Sequence, residues 1–261
     1  MNIWELFSLK GKVLLISGGA GNYGRCMTEA LAEAGGTVII TSLSFEMDHC
    51  KAVAENFCEK GLDVYAMELD QSDRDSVIRL KNGILEKFGR LDVFVNNAVA
   101  RPMKSYDDSI DNFDLSMKVN ATGMFDIVRE MGELICRNET GGSIINIASM
   151  MGMFGPELSN YEGTDMGYPP PDYFFHRAGM INLTRYLAKM FAGKNVRVNC
   201  ISPGGLFNNQ PARFLENYCK KVPLGRMANN DDIKGLMVLL ASDAGAYING
   251  ENILMDGGLN A

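Results

Sequence analysis

Ser17-Gly18-Gly19-Ala20-Gly21-Asn22-Tyr23-Gly24 follows the apolar run Val13-Leu14-Leu15-Ile16 and leads into a segment, 23–34, with helical spacing of its apolar residues. A strand that passes through glycines into a helix can turn sharply. It also lets a pyrophosphate approach the amides at the helix start. Glycine-rich turns are common by themselves. This one gains weight from its place after the first strand of a chain in which strands and helices alternate.

That alternation runs to the end of the sequence. Val38-Ile39-Ile40, Val64-Tyr65-Ala66-Met67, Val93-Phe94-Val95, Ile144-Ile145-Asn146-Ile147, Val196 to Ile201 and Ile253-Leu254-Met255 read as further strands. Helical stretches are expected near 23–34, 46–60, 73–88, 108–138, 173–192, 211–220 and 230–242. Apolar strands separated by helices imply crossover connections. The expected fold class is therefore α/β: a doubly wound parallel sheet of about seven strands with helices on both faces. No polar linker or low-complexity tract divides residues 1–261, so one domain is expected. The rhythm breaks only at about 150–172, rich in Gly, Pro and Tyr, which is read as a lid or substrate-facing insertion.

Bulk properties narrow the function. The 261 residues are 46% hydrophobic and 22% charged, enough for a substantial core. A formal charge of −7 disfavours nucleic acid as a partner. No stretch is apolar enough to span a bilayer, so no membrane partner is expected. Met1 to Lys12 lacks the order of a secretion signal, although Trp4-Glu5-Leu6-Phe7 has the look of a short packed turn. The six cysteines form no C-x-x-C pair and there are only two histidines, so reduced thiols in a cytoplasmic protein, and no metal site, are expected.

The chemistry points to Asp172-Tyr173-Phe174-Phe175-His176-Arg177-Ala178-Gly179. Tyr173 and Arg177 are four residues apart and so share a helix face. A phenol beside a cation suits proton exchange with an alcohol or carbonyl. Tyr161 and Tyr168 are followed four residues later by Asp165 and Asp172 instead, and neither opens a helix. His176 is read as a helix-surface histidine packed on a neighbouring element, with a group titrating near neutral pH as the alternative.

Across essentially its whole length the chain resembles the short-chain dehydrogenase/reductase family, which implies a Rossmann-type fold. The family's T-G-x-x-x-G-x-G corresponds to Ser17 through Gly24. Asn22 replaces the middle glycine, a change attributed to the ease with which asparagine enters left-handed backbone conformations. Leu69-Asp70-Gln71 resembles the adenine-side turn. Asn96-Asn97-Ala98-Val99 resembles N-N-A-G, with valine for the final glycine. Asn120, Ser149, Tyr173 and Arg177 fall at the family's catalytic asparagine, serine, tyrosine and lysine. Asn199 to Gly205 resembles the nicotinamide-side loop, and Tyr247 to Gly258 the closing segment.

The resemblance implies an NAD(P)-dependent oxidoreductase that interconverts an alcohol and a ketone of a small-molecule substrate. Gly18, Asn22, Tyr23, Gly24, Ser42, Asp70, Gln71, Asn97, Ala98, Pro203, Gly204 and Leu206 would hold the cofactor. Ser149 would bond the substrate oxygen, Tyr173 exchange its proton, and Arg177 touch the nicotinamide ribose and favour phenolate. Bringing a phenol from ~10 to ~7 takes about 4 kcal/mol, and a unit charge ~4 Å away at an effective dielectric of ~20 supplies roughly that. Arginine can thus play the electrostatic part, but it stays protonated and cannot join a proton relay.

NAD and NADP are left unresolved, because Thr41-Ser42-Leu43-Ser44 carries no charge at the end of the second strand. Two alternatives stay open: a nucleotide-binding subunit with little catalysis, and an epimerase or dehydratase that recycles its nicotinamide. Tyr161 to Met166, Arg197 to Gly205 and Asn209-Gln210-Pro211 resemble dehydrogenases of bacterial flagellin-glycan and nonulosonic-sugar pathways, which implies an amino sugar or sugar nucleotide as substrate. The family also implies a homodimer or homotetramer.

Overall fold

The computed structural model describes residues 1–261. Its frame is a parallel sheet of seven strands: β1 (Val13–Ser17), β2 (Thr37–Ser42), β3 (Val64–Glu68), β4 (Val93–Asn96), β5 (Gly142–Ile147), β6 (Val196–Pro203) and β7 (Asn252–Met255), in the order β3-β2-β1-β4-β5-β6-β7. Side chains alternate between the two faces of a strand. Leu14 and Ile16 of β1 therefore enter one apolar cluster, and Val13 and Leu15 enter the other.

The first cluster is completed by α2 (Asn22–Glu33), α3 (Met47–Glu59) and α9 (Lys234–Ala241). The second is completed by α4 (Arg74–Phe88), α6 (Met124–Ile135) and α7 (Pro171–Met190). The remaining helices are α1 (Ile3–Phe7), α5 (Ile110–Met117) and α8 (Ala212–Cys219). The doubly wound α/β architecture expected from the alternating pattern is thus present, as one domain.

Three local readings change. The helix expected over 108–138 is interrupted by a π turn, Lys118–Gly123. A Cβ on Gly123 would collide with the carbonyl oxygen of Gln71, so a bare backbone is what lets this turn press against the end of β3. The insertion expected to run to 172 ends earlier, because Pro171 is already the first residue of α7. Proline is well suited there, where its missing N–H costs nothing. The turn at Trp4 is a short helix held by an Asn2–Glu5 capping box, yet it buries no residue and leaves Trp4 82% exposed.

Strand order reverses between β1 and β4, which opens a crevice at their carboxyl ends. The glycine turn after β1 sits there.

Candidate active site

Ser17 ends β1 with its hydroxyl accepting from the amides of Asn97 and Ala98, each at 3.0 Å. The Asn97 amide donates back to the carbonyls of Ser17 and Gly18. These bonds tie the end of β4 to the glycine turn across the crevice. Gly18 is left-handed, at φ 65°. A Cβ on Gly24 would strike the carbonyl of Gly18, so the start of α2 can pack this closely only without one. Asn22 behaves otherwise than expected. It is the first residue of α2, right-handed rather than left-handed, and no glycine is needed there.

The crevice widens into a cavity of about 1490 Å³, beyond the ~300–1,000 Å³ typical of a single small ligand. Every residue expected to hold the cofactor lies on its wall. Several also hold the wall together. Asp70 accepts from the amide and hydroxyl of Ser72, and Gln71 donates to the carbonyl of Val119 at 3.0 Å. Gly204 donates to Met255, and Gly205 to the Tyr218 hydroxyl at 2.7 Å. Gln210 donates to the carbonyl of Leu206. Tyr23 packs its ring against the first cluster and leaves its hydroxyl buried without a partner. Burial, then the charge of Asp232, raises that hydroxyl's pKa.

The residues of the crevice fit a dinucleotide. A glycine cradle that a Cβ would fill, open amides at the start of a twelve-residue helix, and a cavity too large for one small ligand all suit it.

At the end of β2 the wall carries charges that the sequence did not reveal. Ser42 donates to Glu46 at 2.8 Å, and the Arg25 guanidinium lies 2.9 Å from the His49 ring. Glu46 and His49 line the cavity; both lie beyond the strand end where such residues are sought.

Ser149, Tyr173 and Arg177 meet on the opposite wall. Asn120 does not join them on the surface. Buried in the π turn, it accepts from the amide of Ala100 at 2.9 Å and donates to the carbonyl of Ala100 at 2.8 Å and to Ser116. Ser116 donates in turn to Asp172 at 2.5 Å, which locks α5 to the first turn of α7.

Two guanidiniums lie close to the Tyr173 ring. Those of Arg101 and Arg177 stand 4.8 and 5.0 Å from its ring centroid. Burial alone raises the phenol's pKa, but Arg177, Arg101 and the neighbouring Ser149 hydroxyl outweigh it and leave the pKa below the ordinary 10.0. His176 is not on the helix surface as expected. It is buried edge-on to Tyr173 at 5.3 Å, and its pKa is pushed down to about 3 by burial and then by the two arginines. It is neutral at physiological pH and does not titrate there.

The rival tyrosines belong to another cluster. Tyr161 packs against Tyr168 at 5.7 Å and Phe214 at 5.2 Å, away from any cation that would lower its pKa, and burial raises it. That cluster joins the 150–170 segment to α8. Lys221 adds hydrogen bonds to Ser159 and Asn160, and Asn217 to the carbonyls of Asn160 and Glu162.

Residues 19–260 match the family model described as enoyl-(acyl carrier protein) reductase. The chain is 32% identical to the 3-oxoacyl-[acyl-carrier-protein] reductase of Thermotoga maritima, with 96% of this chain and 98% of that one covered. It is 33% identical to a 2-dehydro-3-deoxy-D-gluconate 5-dehydrogenase of Pseudoalteromonas atlantica (97% and 98% covered). Identity to the post-translational flagellin modification protein A of Campylobacter coli is 28% (96% and 98% covered). A crystal structure of a short-chain type dehydrogenase/reductase from Mycobacterium marinum superposes with a TM-score of 0.87 at 27% identity, with 100% of both chains covered. With the fold, the cavity and these likenesses in agreement, the chain belongs to the short-chain dehydrogenase/reductase family of NAD(P)-dependent oxidoreductases.

Proposed function

We propose that the protein oxidises a secondary alcohol to a ketone, or runs the reverse reaction, on a small polar substrate such as a sugar derivative. The observation that carries this reading is the Tyr173 phenol, with two cations close to its ring, on the wall of a dinucleotide-sized cavity. When bound, the nicotinamide supplies the site that accepts or donates hydride. Ser149 holds the substrate oxygen by hydrogen bond. In oxidation Tyr173, as phenolate, takes the hydroxyl proton while hydride leaves the carbon; in reduction the phenol returns that proton to the carbonyl oxygen. Arg177, whose Nε has no partner, would bond the nicotinamide ribose, and its charge stabilises phenolate. Asn120 acts from behind, holding the loop at Ala100.

The 150–170 segment is read as a lid over the substrate end of the cavity, since Glu157, Tyr161 and Tyr168 line it. A sugar-like substrate is supported by the polar groups there and by the Pseudoalteromonas relative, whose name gives a sugar acid.

Replacing Tyr173 with Phe removes the proton carrier and keeps the ring. Turnover against a panel of alcohols and ketones should fall by at least a thousandfold, with reduced-nicotinamide binding, read by fluorescence, unchanged. Turnover that survives the substitution removes Tyr173 from the mechanism.

A homo-oligomer is part of the same proposal. Ile110, Leu115, Phe125, Phe175, Tyr186 and Met190 of α5–α7 are all exposed, an apolar array that a second copy would cover. Light scattering at micromolar concentration is expected to give a dimer or tetramer mass, and a monomer would reject it.

A further inference from the structure

We infer that Arg101 is the anchor for a carboxylate on the substrate, so that the protein acts on hydroxy or oxo acids rather than on neutral polyols or ketones. This inference rests on the oxidoreductase reading above and deepens it.

Among the ion pairs of the protein, none involves Arg101 or Arg177. Arg177 is 3% exposed and donates to the carbonyl of Ile147, and its Nε has no partner at all. A buried cation without a counter-ion is costly unless something that enters the site balances it. No lining carboxylate pairs with either arginine: Asp172 accepts from Ser116 through one oxygen and keeps the other buried without a partner, and Glu157 accepts from Ser159 beside Lys221.

The two arginines do not compete for one ligand. Arg177 is deep, backed by Ile147 and Met180, on the side given to the cofactor. Arg101 is exposed to the cavity mouth, on the loop after β4, and its guanidinium covers the Tyr173 ring.

Arg101 is also held in place by backbone rather than by charge. Asn120 grips both polar groups of the preceding residue, Ala100, and Lys104 donates through Nζ to the carbonyl of Arg101 at 2.9 Å. A guanidinium whose main chain is fixed, whose fork is free, and which lies over the ring of the reacting phenol is preorganised for a planar anion. Its closeness to the phenol places the carboxylate only a few bonds from the carbon that changes oxidation state.

Arg101 also acts on Tyr173, so rates alone cannot isolate the anchor, and the test is an equilibrium one. Cofactor-saturated protein is titrated calorimetrically with matched pairs that differ only in carboxylate for hydroxymethyl: lactate and 1,2-propanediol, glycerate and glycerol, gluconate and glucitol. In at least one pair the acid should bind tenfold or more tightly than its neutral partner. Arg101→Gln should erase that difference without changing cofactor affinity, and Arg101→Lys should restore part of it.

A carboxylate preference that persists in Arg101→Gln, or no preference in any pair, overturns the assignment. The same pairs, with their ketone forms, are assayed for hydride transfer. Turnover of neutral members with no Arg101 dependence removes the anchor and leaves the oxidoreductase reading intact. Arg101-dependent binding with no hydride transfer in any pair does the opposite.

Discussion

Tyr173 shows how one side chain's acidity is decided by neighbours that the local sequence only half discloses. Arg177 could be read from its four-residue spacing, because a helix brings such positions together. Arg101 could not. It lies far along the chain, and only the approach of the β4 loop to α7 gives it meaning. The burial of His176 escapes a sequence reading for the same reason, since it depends on elements remote in sequence. Oxidation uses phenolate, so its rate should rise with pH through the lowered pKa of Tyr173 and level off above it. Arg177→Met removes the larger of the two opposing charges and should move that rise toward 10.0, whereas Arg177→Lys keeps a cation and should leave it nearly in place. A pH profile of the oxidation rate that is identical in all three proteins would exclude the electrostatic role. Methionine at a buried, unpaired arginine should cost little stability, which keeps the comparison clean.

The elements were legible where periodicity dictates them. All seven strands and the helices of both layers stand close to their expected places, because buried parallel strands and amphipathic helices leave strong patterns. What stayed hidden were features set by contact: the π turn at Lys118–Gly123 and the right-handed start of α2 at Asn22. Asparagine in a glycine motif invites a left-handed reading, but the position that cannot carry a side chain is Gly24. Gly24→Ala should therefore destabilise the fold by about 1–3 kcal/mol, as overpacking does, and weaken cofactor binding. Gly21→Ala meets only the Gly18 carbonyl, at an ordinary 3.5 Å, and should unfold within about 0.5 kcal/mol of the parent. Equal losses in chemical denaturation would contradict this account of the turn.

Across the molecule, the two helical layers are fastened differently. The layer of α4 and α6 contains a buried ion pair, Lys81 to Glu130 at 2.6 Å, with Arg74 reaching the same carboxylate at 3.1 Å. Burial raises the pKa of Glu130, but Lys81 and Arg74 outweigh it and hold it below the ordinary 4.5. A carboxyl with a depressed pKa adds stability that is complete above its ordinary value and disappears as pH falls through the lowered one. Lys81→Met should cost roughly 2–3 kcal/mol near neutral pH, less than the ~3–5 of a fully stripped pair because Arg74 remains. That deficit should shrink as the pH drops below 4.5. A deficit independent of pH in urea titrations would place the effect in packing instead of charge. No reading of the sequence alone could have paired Lys81 with Glu130, since helix spacing says which face a residue occupies but not which helix lies opposite.

Pro169-Pro170-Pro171 joins the cavity-lining loop to the helix whose third residue is Tyr173. A run of prolines behaves as a stiff strut rather than a string. A push on the loop from inside would therefore be carried toward the phenol, and the bulk of the guest would bear on the aim of the proton carrier. The other end is built differently: a Cβ on Gly155 would meet no atom within 4 Å, so the chain there is uncrowded. Lengthening the chain near Gly155 should leave the tyrosine undisturbed, while loosening the strut would disconnect guest from chemistry.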